Sequence, residues 1–330
     1  MKNNTTTATT QNDETTFFTK FKDEVLQGLL ANPKHMDSKY FYDAAGDRLF
    51  QQIMDAPEYY PTRSEFEIFI EQADELSQVL MGDGDAFDLI ELGAGDASKS
   101  GHLLKNLIGR SADFKYIPID ISENIISYLN QTLPVSFPGI RIEGKTGEYF
   151  QMLREVTEKS EKRRKVILFL GSNIGNMSLG ASMDFCVELR KYLNKGDLVL
   201  MGIDLKKNPR IILDAYNDKA GITKEFNLNL LTRVNRELNA NFDITKFEHY
   251  PMYNPETGEC KSYLISLEQQ QVVVSNMVIS FEKDEYIDME ISQKYTVEQA
   301  ERLAANAGFS TVTNFFDKKK WFLDTIWSAD

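Results

Sequence analysis

The sequence predicts an α/β fold: a doubly wound, Rossmann-like sheet plus a second, α+β domain assembled from N-terminal helices and a later insertion. Three observations predict it. Between residues 64 and 206, short apolar strands alternate strictly with helices, which demands a mostly parallel sheet covered on both faces. One of those strands, Phe87-Asp88-Leu89-Ile90-Glu91-Leu92, runs straight into the glycine turn Gly93-Ala94-Gly95-Asp96. Beyond residue 206 the alternation stops, and turn residues separate segments with the period of antiparallel strands.

Taken in order, residues 1–16 are polar and Thr-rich and read as a disordered tail, without the apolar stretch of a secretory signal. Residues 17–63 carry helical spacing in Phe18, Phe21, Val25 and Leu29, then the aromatic stretch Tyr40-Phe41-Tyr42-Asp43 and a proline-bounded segment, 57–63. This zone predicts helices and loops and no sheet. Helices are expected at 65–81, 98–108, 121–132, 147–157 and 181–193, and strands at 86–92, 115–119, 139–143, 165–169 and 197–203. A single helical zone follows at 209–238. Strands are then expected at 248–253, 262–269 and 271–281, with Asn254-Pro255-Glu256-Thr257-Gly258 as a hairpin turn. The chain is read as returning to the first architecture near 286–295, before a helix at 297–307 and a terminal pair at 310–317 and 320–326. That antiparallel pair completes a seven-stranded sheet. The predicted division is 64–206 with 286–330 for the first domain and 17–63 with 207–285 for the second.

The chain has 330 residues and a formal net charge of -13, with a pI of about 4.9. Broad binding to phosphate backbones or anionic membranes needs clustered Lys/Arg, so neither nucleic acid nor membrane is an expected partner. The basic run Lys162-Arg163-Arg164-Lys165 is short and reads as a solvated helix end or loop. A small-molecule partner is expected instead. Cys186 and Cys260 are far apart, and His35, His102 and His249 are scattered, so neither a disulfide nor a metal site is predicted. No apolar run approaches the roughly 20 residues that span a bilayer, and cytoplasmic residence is expected. The sequence does not fix an oligomeric state and is compatible with a monomer.

The glycine turn carries the first chemical inference. Gly93 and Gly95 let the backbone pass close to a ligand at a strand end, where open α/β sheets bind their ligands. A dinucleotide fingerprint wants a third glycine where this chain has Ser98, and it sets a pyrophosphate over the helix N-terminus. S-adenosylmethionine has no phosphate and needs a looser turn with polar groups. The next strand ends at Pro118-Ile119-Asp120, where a carboxylate can accept from both ribose hydroxyls of either cofactor class. A tight strand-to-helix turn alone would account for the glycines. With Ser98 and Asp120 added, the reading tilts to S-adenosylmethionine.

Several longer motifs then point to a family. Lys39-Tyr40-Phe41-Tyr42-Asp43, Pro57-Glu58-Tyr59-Tyr60-Pro61-Thr62-Arg63, Glu91-Leu92-Gly93-Ala94-Gly95 and Phe169-Leu170-Gly171-Ser172-Asn173-Ile174-Gly175-Asn176 are four of them. Together with the stretch from Ala215 to Thr223 and Phe226-Asn227-Leu228-Asn229, they resemble the histidine-specific N-alpha-methyltransferases that make trimethylhistidine for ergothioneine synthesis. The resemblance covers nearly everything after the N-terminal tail. It implies a methyltransferase domain and a substrate-binding domain. It implies that Tyr59, Gly93, Gly95, Lys99 and Asp120 contact the cofactor, with Glu148 and Tyr149 near the adenine and Asn173 beside the methionine part. Tyr42, Asn176 and Tyr216 are implied around the amine and carboxylate of a free amino acid, Tyr42 and Asn176 being the candidate catalytic residues. Glu290 and Ser292 match the pair that holds the imidazole. Two positions depart from the pattern: Ser262 stands where a Met of the substrate pocket is usual, and Glu148 where an Asp is common.

These roles make chemical sense. Asn and Tyr orient a carboxylate and a neutral amine without adding charge, and Glu with Ser can satisfy the two unlike imidazole nitrogens. Other readings exist for single residues: Tyr59 and Tyr60 as packing aromatics, Asn176 as a helix cap, Glu290 as a solvated strand residue. The expected reaction is repeated methyl transfer from S-adenosylmethionine to the α-amine of histidine, releasing S-adenosylhomocysteine. The rivals are a methyltransferase for another amino acid or small amine, a non-catalytic cofactor-binding sensor, and an NAD-dependent enzyme, the last disfavoured by Ser98.

Overall fold

A computed structural model describes the backbone of residues 6–159 and 163–330, with side chains from 18 to 158 and from 163 onward. It contains two compact units, one of residues 1–59 with 208–292, the other of 60–207 with 293–330. The tail expected at 1–16 lies outside the described residues at 1–5. From Thr6 the backbone belongs to the helix Thr6–Leu30, so the reading of 6–16 as disordered is corrected. Thr is a weak helix former and the segment lacks apolar spacing, so neither propensity nor pattern signals this helix.

The unit of 60–207 and 293–330 holds the seven-stranded sheet that the sequence predicts. Its strand order is Phe309–Phe316, Phe322–Ala329, Leu198–Asp204, Arg164–Phe169, Phe87–Leu92, Phe114–Asp120, Lys145–Thr146. Phe87–Leu92 lies parallel to both neighbours, and Phe322–Ala329 runs antiparallel to Leu198–Asp204. All residues of Phe87–Leu92 and of Leu198–Asp204 are buried, as strands covered on both faces must be. One apolar cluster, with Ile90, Ile167 and Trp327, packs one set of side chains, and a second, with Leu89, Leu168 and Phe322, packs the other.

Four expected elements are cut by residues whose conformations or side-chain bonds interrupt them. The helix read at 65–81 is Tyr60–Glu71 followed by Ala73–Met81, separated at Gln72, whose side chain donates to the Phe316 carbonyl. The strand read at 139–143 shortens to a bridge between Tyr116 and Ile142 and the pair Lys145–Thr146. Gly144 interrupts it where a Cβ would lie 2.6 Å from Ile126. The helical zone 209–238 divides into Pro209–Ala215 and Ile222–Leu238, separated by Gly221 at φ +77°. The strand read at 271–281 is a hairpin of Gln270–Val274 and Met277–Phe281, turned by Ser275 and Asn276 at positive φ.

The unit of 1–59 and 208–292 carries a four-stranded sheet of Lys34–His35, Tyr286–Gln293, Glu259–Ser266 and Phe247–Tyr253. Here the expectation that the chain leaves this domain at 286 is corrected. Tyr286–Gln293 buries Ile287 and Met289 in the same cluster as Leu264, Leu230 and Phe41, and it pairs in parallel with Lys34–His35. The N-terminal zone therefore does contribute a short strand. The turn at 254–258 forms as expected, with Gly258 donating its N–H to the Asn254 carbonyl at 2.7 Å. The basic run is also corrected: Arg163 pairs with Asp88, Arg164 donates to the Leu80 carbonyl and Lys165 pairs with Asp197, while Lys162 lies outside the described residues.

Candidate active site

In the seven-stranded unit, the glycine turn is held against the neighbouring strand. Gly93 N–H donates to the Ile119 carbonyl at 2.8 Å, and Gly93 sits at φ +74°. A Cβ there would lie 2.6 Å from the Tyr149 hydroxyl and 3.3 Å from the Asn173 amide nitrogen. Three of the predicted cofactor residues, Gly93, Tyr149 and Asn173, thus come together. Gly95 N–H donates to Asp120 Oδ2 at 3.2 Å, and Ser122 N–H to Oδ1 at 2.9 Å, so Asp120 is fixed at its strand end by two backbone donors. Burial, then the charges of Asp120 and Glu148, push the Tyr149 phenol well above its ordinary pKa. Tyr149 therefore carries a neutral hydroxyl, and Glu148 is exposed.

Lys99 supplies the cation. Its ammonium pairs with the fully buried carboxylate of Glu65, and it lies 3.3 Å from where a Cβ on Gly171 would stand. Gly171 and Ser172 both take positive φ, at +72° and +57°, and open the turn that ends in Asn173–Asn176. Ser172 Oγ accepts from the Asp204 N–H at 3.1 Å, which holds this strained turn in place. Asn176 is exposed at the end of that turn. It does not cap the following helix, whose N-cap is Ser178, accepting from Ala181 N–H. Tyr60 is a packing residue, buried with its hydroxyl donating to Asp204 at 2.8 Å.

The described residues fit S-adenosylmethionine. An acid sits at the strand end for a ribose, a lysine for a carboxylate, and two positive-φ glycines stand where side chains would fill the loops. Ser98 stands where a dinucleotide fingerprint has its third glycine.

The other unit carries the acceptor candidates other than Asn176, on separate segments. Tyr216 donates its hydroxyl to Ser292 Oγ at 2.7 Å, and both are buried. The Tyr216 ring stands edge-on to Tyr59 at 6.1 Å, Tyr59 to Phe50 at 6.5 Å, and Phe50 to Tyr42 at 5.6 Å. Tyr42 is 44% exposed. Glu290 and Ser292, two apart on one strand, share a face, with Glu290 half-buried. Ser262 is buried and lies 3.2 Å from His249 Nε2 across the strand pair. His249 thus occupies the space beside the small side chain. Burial drives its pKa down to about 4, only partly opposed by Asp218.

Sequence reasoning missed Glu65, Asp324, His249 and Phe50. An acid within an amphipathic helix, as Glu65 is, reads as a surface residue, and only the packing shows it buried. Phe50 sits in a helix with a strong apolar face, so its role as the ring joining Tyr42 to Tyr59 had a weak signal. No cluster of potential metal ligands occurs among the described residues, and no helix among them is long and apolar enough to cross a membrane.

Comparison with known proteins shows the family of the chain. Residues 21–329 match the family described as histidine-specific, SAM-dependent methyltransferases. The histidine N-alpha-methyltransferase of Mycobacterium tuberculosis is 31% identical over 303 residues, 91% of this chain and 90% of that protein. The histidine N-alpha-methyltransferase of Mycolicibacterium smegmatis is 34% identical, over 86% of this chain and 87% of that protein. An L-tryptophan methyltransferase of Psilocybe serbica is 29% identical over 89% of each chain. S-adenosylmethionine is accordingly the methyl donor, and this chain belongs to the family of S-adenosylmethionine-dependent, histidine-specific methyltransferases.

Proposed function

We propose that the protein methylates the α-amine of free L-histidine, three times in succession, to give trimethylhistidine and S-adenosylhomocysteine. The observation that carries this reading is the set Glu290, Ser292 and Tyr216. A carboxylate and a hydroxyl share one strand face, and the hydroxyl accepts from Tyr216 at 2.7 Å. An imidazole offers one N–H and one lone pair, and this set supplies an acceptor for the first and a hydroxyl proton for the second.

The donor supplies a sulfonium whose methyl is electrophilic, so the chain's task is alignment and the exclusion of water. In this reading Asp120 accepts from the ribose hydroxyls, Lys99 meets the carboxylate of the methionine part, Asn173 orients that part, and Tyr149 and Glu148 border the adenine. Gly93 and Gly95 leave room for the ligand. Tyr42 and Asn176 hold the acceptor's neutral amine and its carboxylate, and Tyr59 lines the donor. No strong base is placed at the amine, whose proton passes through Tyr42 or directly to water. The unit of 1–59 and 208–292 is proposed as the acceptor-binding domain.

A second reading follows from the tryptophan-methylating relative and from Ser262. An indole N–H would satisfy Glu290 but leave the Ser292 hydroxyl without an acceptor on the ligand. Calorimetry on Glu290→Ala separates the readings from a purely structural role. Histidine affinity should fall at least about tenfold with S-adenosylmethionine affinity unchanged. Equal losses of both would remove the assignment of Glu290.

A further inference from the structure

We propose that Glu65 is a positioning residue for Lys99, and that Asp324 stands beside it as a neutral acid, so that one negative charge and not two aims the ammonium. The inference rests on the reading of Lys99 as a contact of the donor's carboxylate.

Glu65 is fully buried in the helix Tyr60–Glu71. One of its oxygens accepts from the Gly171 N–H at 2.7 Å, and the other pairs with Lys99. It therefore fixes both the cation and the turn that leads to Asn173. Asp324, also fully buried, stands directly opposite Gly202 in the register of Phe322–Ala329 with Leu198–Asp204. A Cβ on Gly202 would collide with Glu65 Oε1 and lie 3.2 Å from Asp324 Oδ1. The missing side chain is what leaves space for two carboxyl groups.

Both Asp324 oxygens are buried, with no hydrogen-bond partner among the described residues. Isolated buried carboxylates are costly, and the neutral form is the economical one. Burial and then the Glu65 charge push Asp324 well above the usual carboxylate range, against the weaker pull of Lys99. A third acid, Glu91, faces the same lysine from the strand Phe87–Leu92. Its pKa is raised to about 7 by burial, opposed by hydrogen bonds from Tyr116 and Ser100. Three buried carboxyl groups thus lie within electrostatic range of one cation, and of the three Glu65 pairs with it directly. S-adenosylmethionine has a single anionic group, its carboxylate, so a lysine aimed at it selects the amino-acid end of the ligand. Lys99 hangs on a flexible four-carbon stem, and the Glu65 pair removes that freedom before the ligand arrives.

The test is calorimetry on the intact protein with S-adenosylhomocysteine and with 5′-methylthioadenosine, which keeps the adenosine and lacks the carboxylate. Glu65→Gln should weaken S-adenosylhomocysteine by about tenfold and leave 5′-methylthioadenosine unchanged. Glu65→Asp keeps the charge but withdraws it, and should give a smaller loss on S-adenosylhomocysteine alone, which decides the matter should the Gln variant not fold. Asp324→Asn mimics the neutral acid and should hold both affinities within about twofold. At pH 9, where Glu91 is ionised, an infrared carbonyl band of a protonated carboxyl should be present in the parent and absent in Asp324→Asn. Lys99→Ala is the control. If it leaves S-adenosylhomocysteine binding intact, the reading of Lys99 itself fails. If Lys99→Ala weakens binding but Glu65 variants do not, or weaken both ligands equally, the positioning role is overturned, as the neutral acid is by absence of the band in the parent.

Discussion

The two units hold their polar groups by different means. In the seven-stranded unit, Asp120, Lys99 and Gly171 are fixed by backbone donors and a buried ion pair, and the glycine turn is hydrogen-bonded to the adjoining strand. In the other unit, Tyr42, Tyr59 and Tyr216 are linked through ring edges, and one hydroxyl pair, Tyr216 with Ser292, anchors the set. Charge-assisted bonds to rigid backbone define positions tightly, while edge-on rings tolerate rotation. In the proposed reaction, that contrast suits a donor presented in one geometry and an acceptor amine that turns between successive methyl transfers.

The first way to break the comparison is at the glycine turn. Gly93→Val places a β-branched side chain at φ +74° and drives its Cβ against Tyr149. Donor affinity should fall about a hundredfold or more by calorimetry, with the fold retained by circular dichroism. A smaller change, Asp120→Asn, removes the charge that two backbone N–H groups address. A loss of about tenfold in donor affinity is expected, with histidine affinity unmoved. If either variant weakened the acceptor equally, the proposed separation of donor contacts from acceptor contacts would be wrong.

The unit of 1–59 and 208–292 should instead show a dependence on pH. His249 is held neutral by burial, with a folded pKa of about 4 against 6.5 when free. Between those values the unfolded chain binds more protons, so stability rises with pH and is lost as pH falls from 6.5 toward 4. The loss is on the order of 2–3 kcal/mol, and urea unfolding at pH 7 and pH 4.5 should lose that part of its difference in His249→Gln. The smallest effects are expected at the hydroxyl pair. Tyr216→Phe and Ser292→Ala should each lower kcat/KM for the acceptor by about fivefold, with donor affinity constant. The double variant should cost less than the product, because the two groups share one bond.

The elements of the proposed donor site were legible because they are local. A buried strand, two glycines, Ser98 and an acid at the next strand end lie within about thirty residues, and each announces its chemistry through type and spacing. Segment 286–293 was misassigned because alternating Ile287 and Met289 suits either sheet, and the partner, Lys34–His35, is some 250 residues away. Helix breaks at Gln72 and Gly221 were obscured by continuous apolar periodicity on both sides. Glu65 and Asp324 were invisible for a different reason: the sequence shows acids, and only the packing around Gly202 shows that they are buried together. The roles of Tyr42, Asn176 and Glu290 rest on resemblance, since nothing in their spacing alone distinguishes a ligand contact from a packed or solvated side chain.

The most direct test of the central claim is a methylation assay on a panel of free amino acids with isotopically labelled S-adenosylmethionine and mass detection. The account predicts that histidine gains three labelled methyl groups on its α-amine while other amino acids turn over slowly or not at all. No methylation of histidine, alongside clear turnover of another amine, would contradict it.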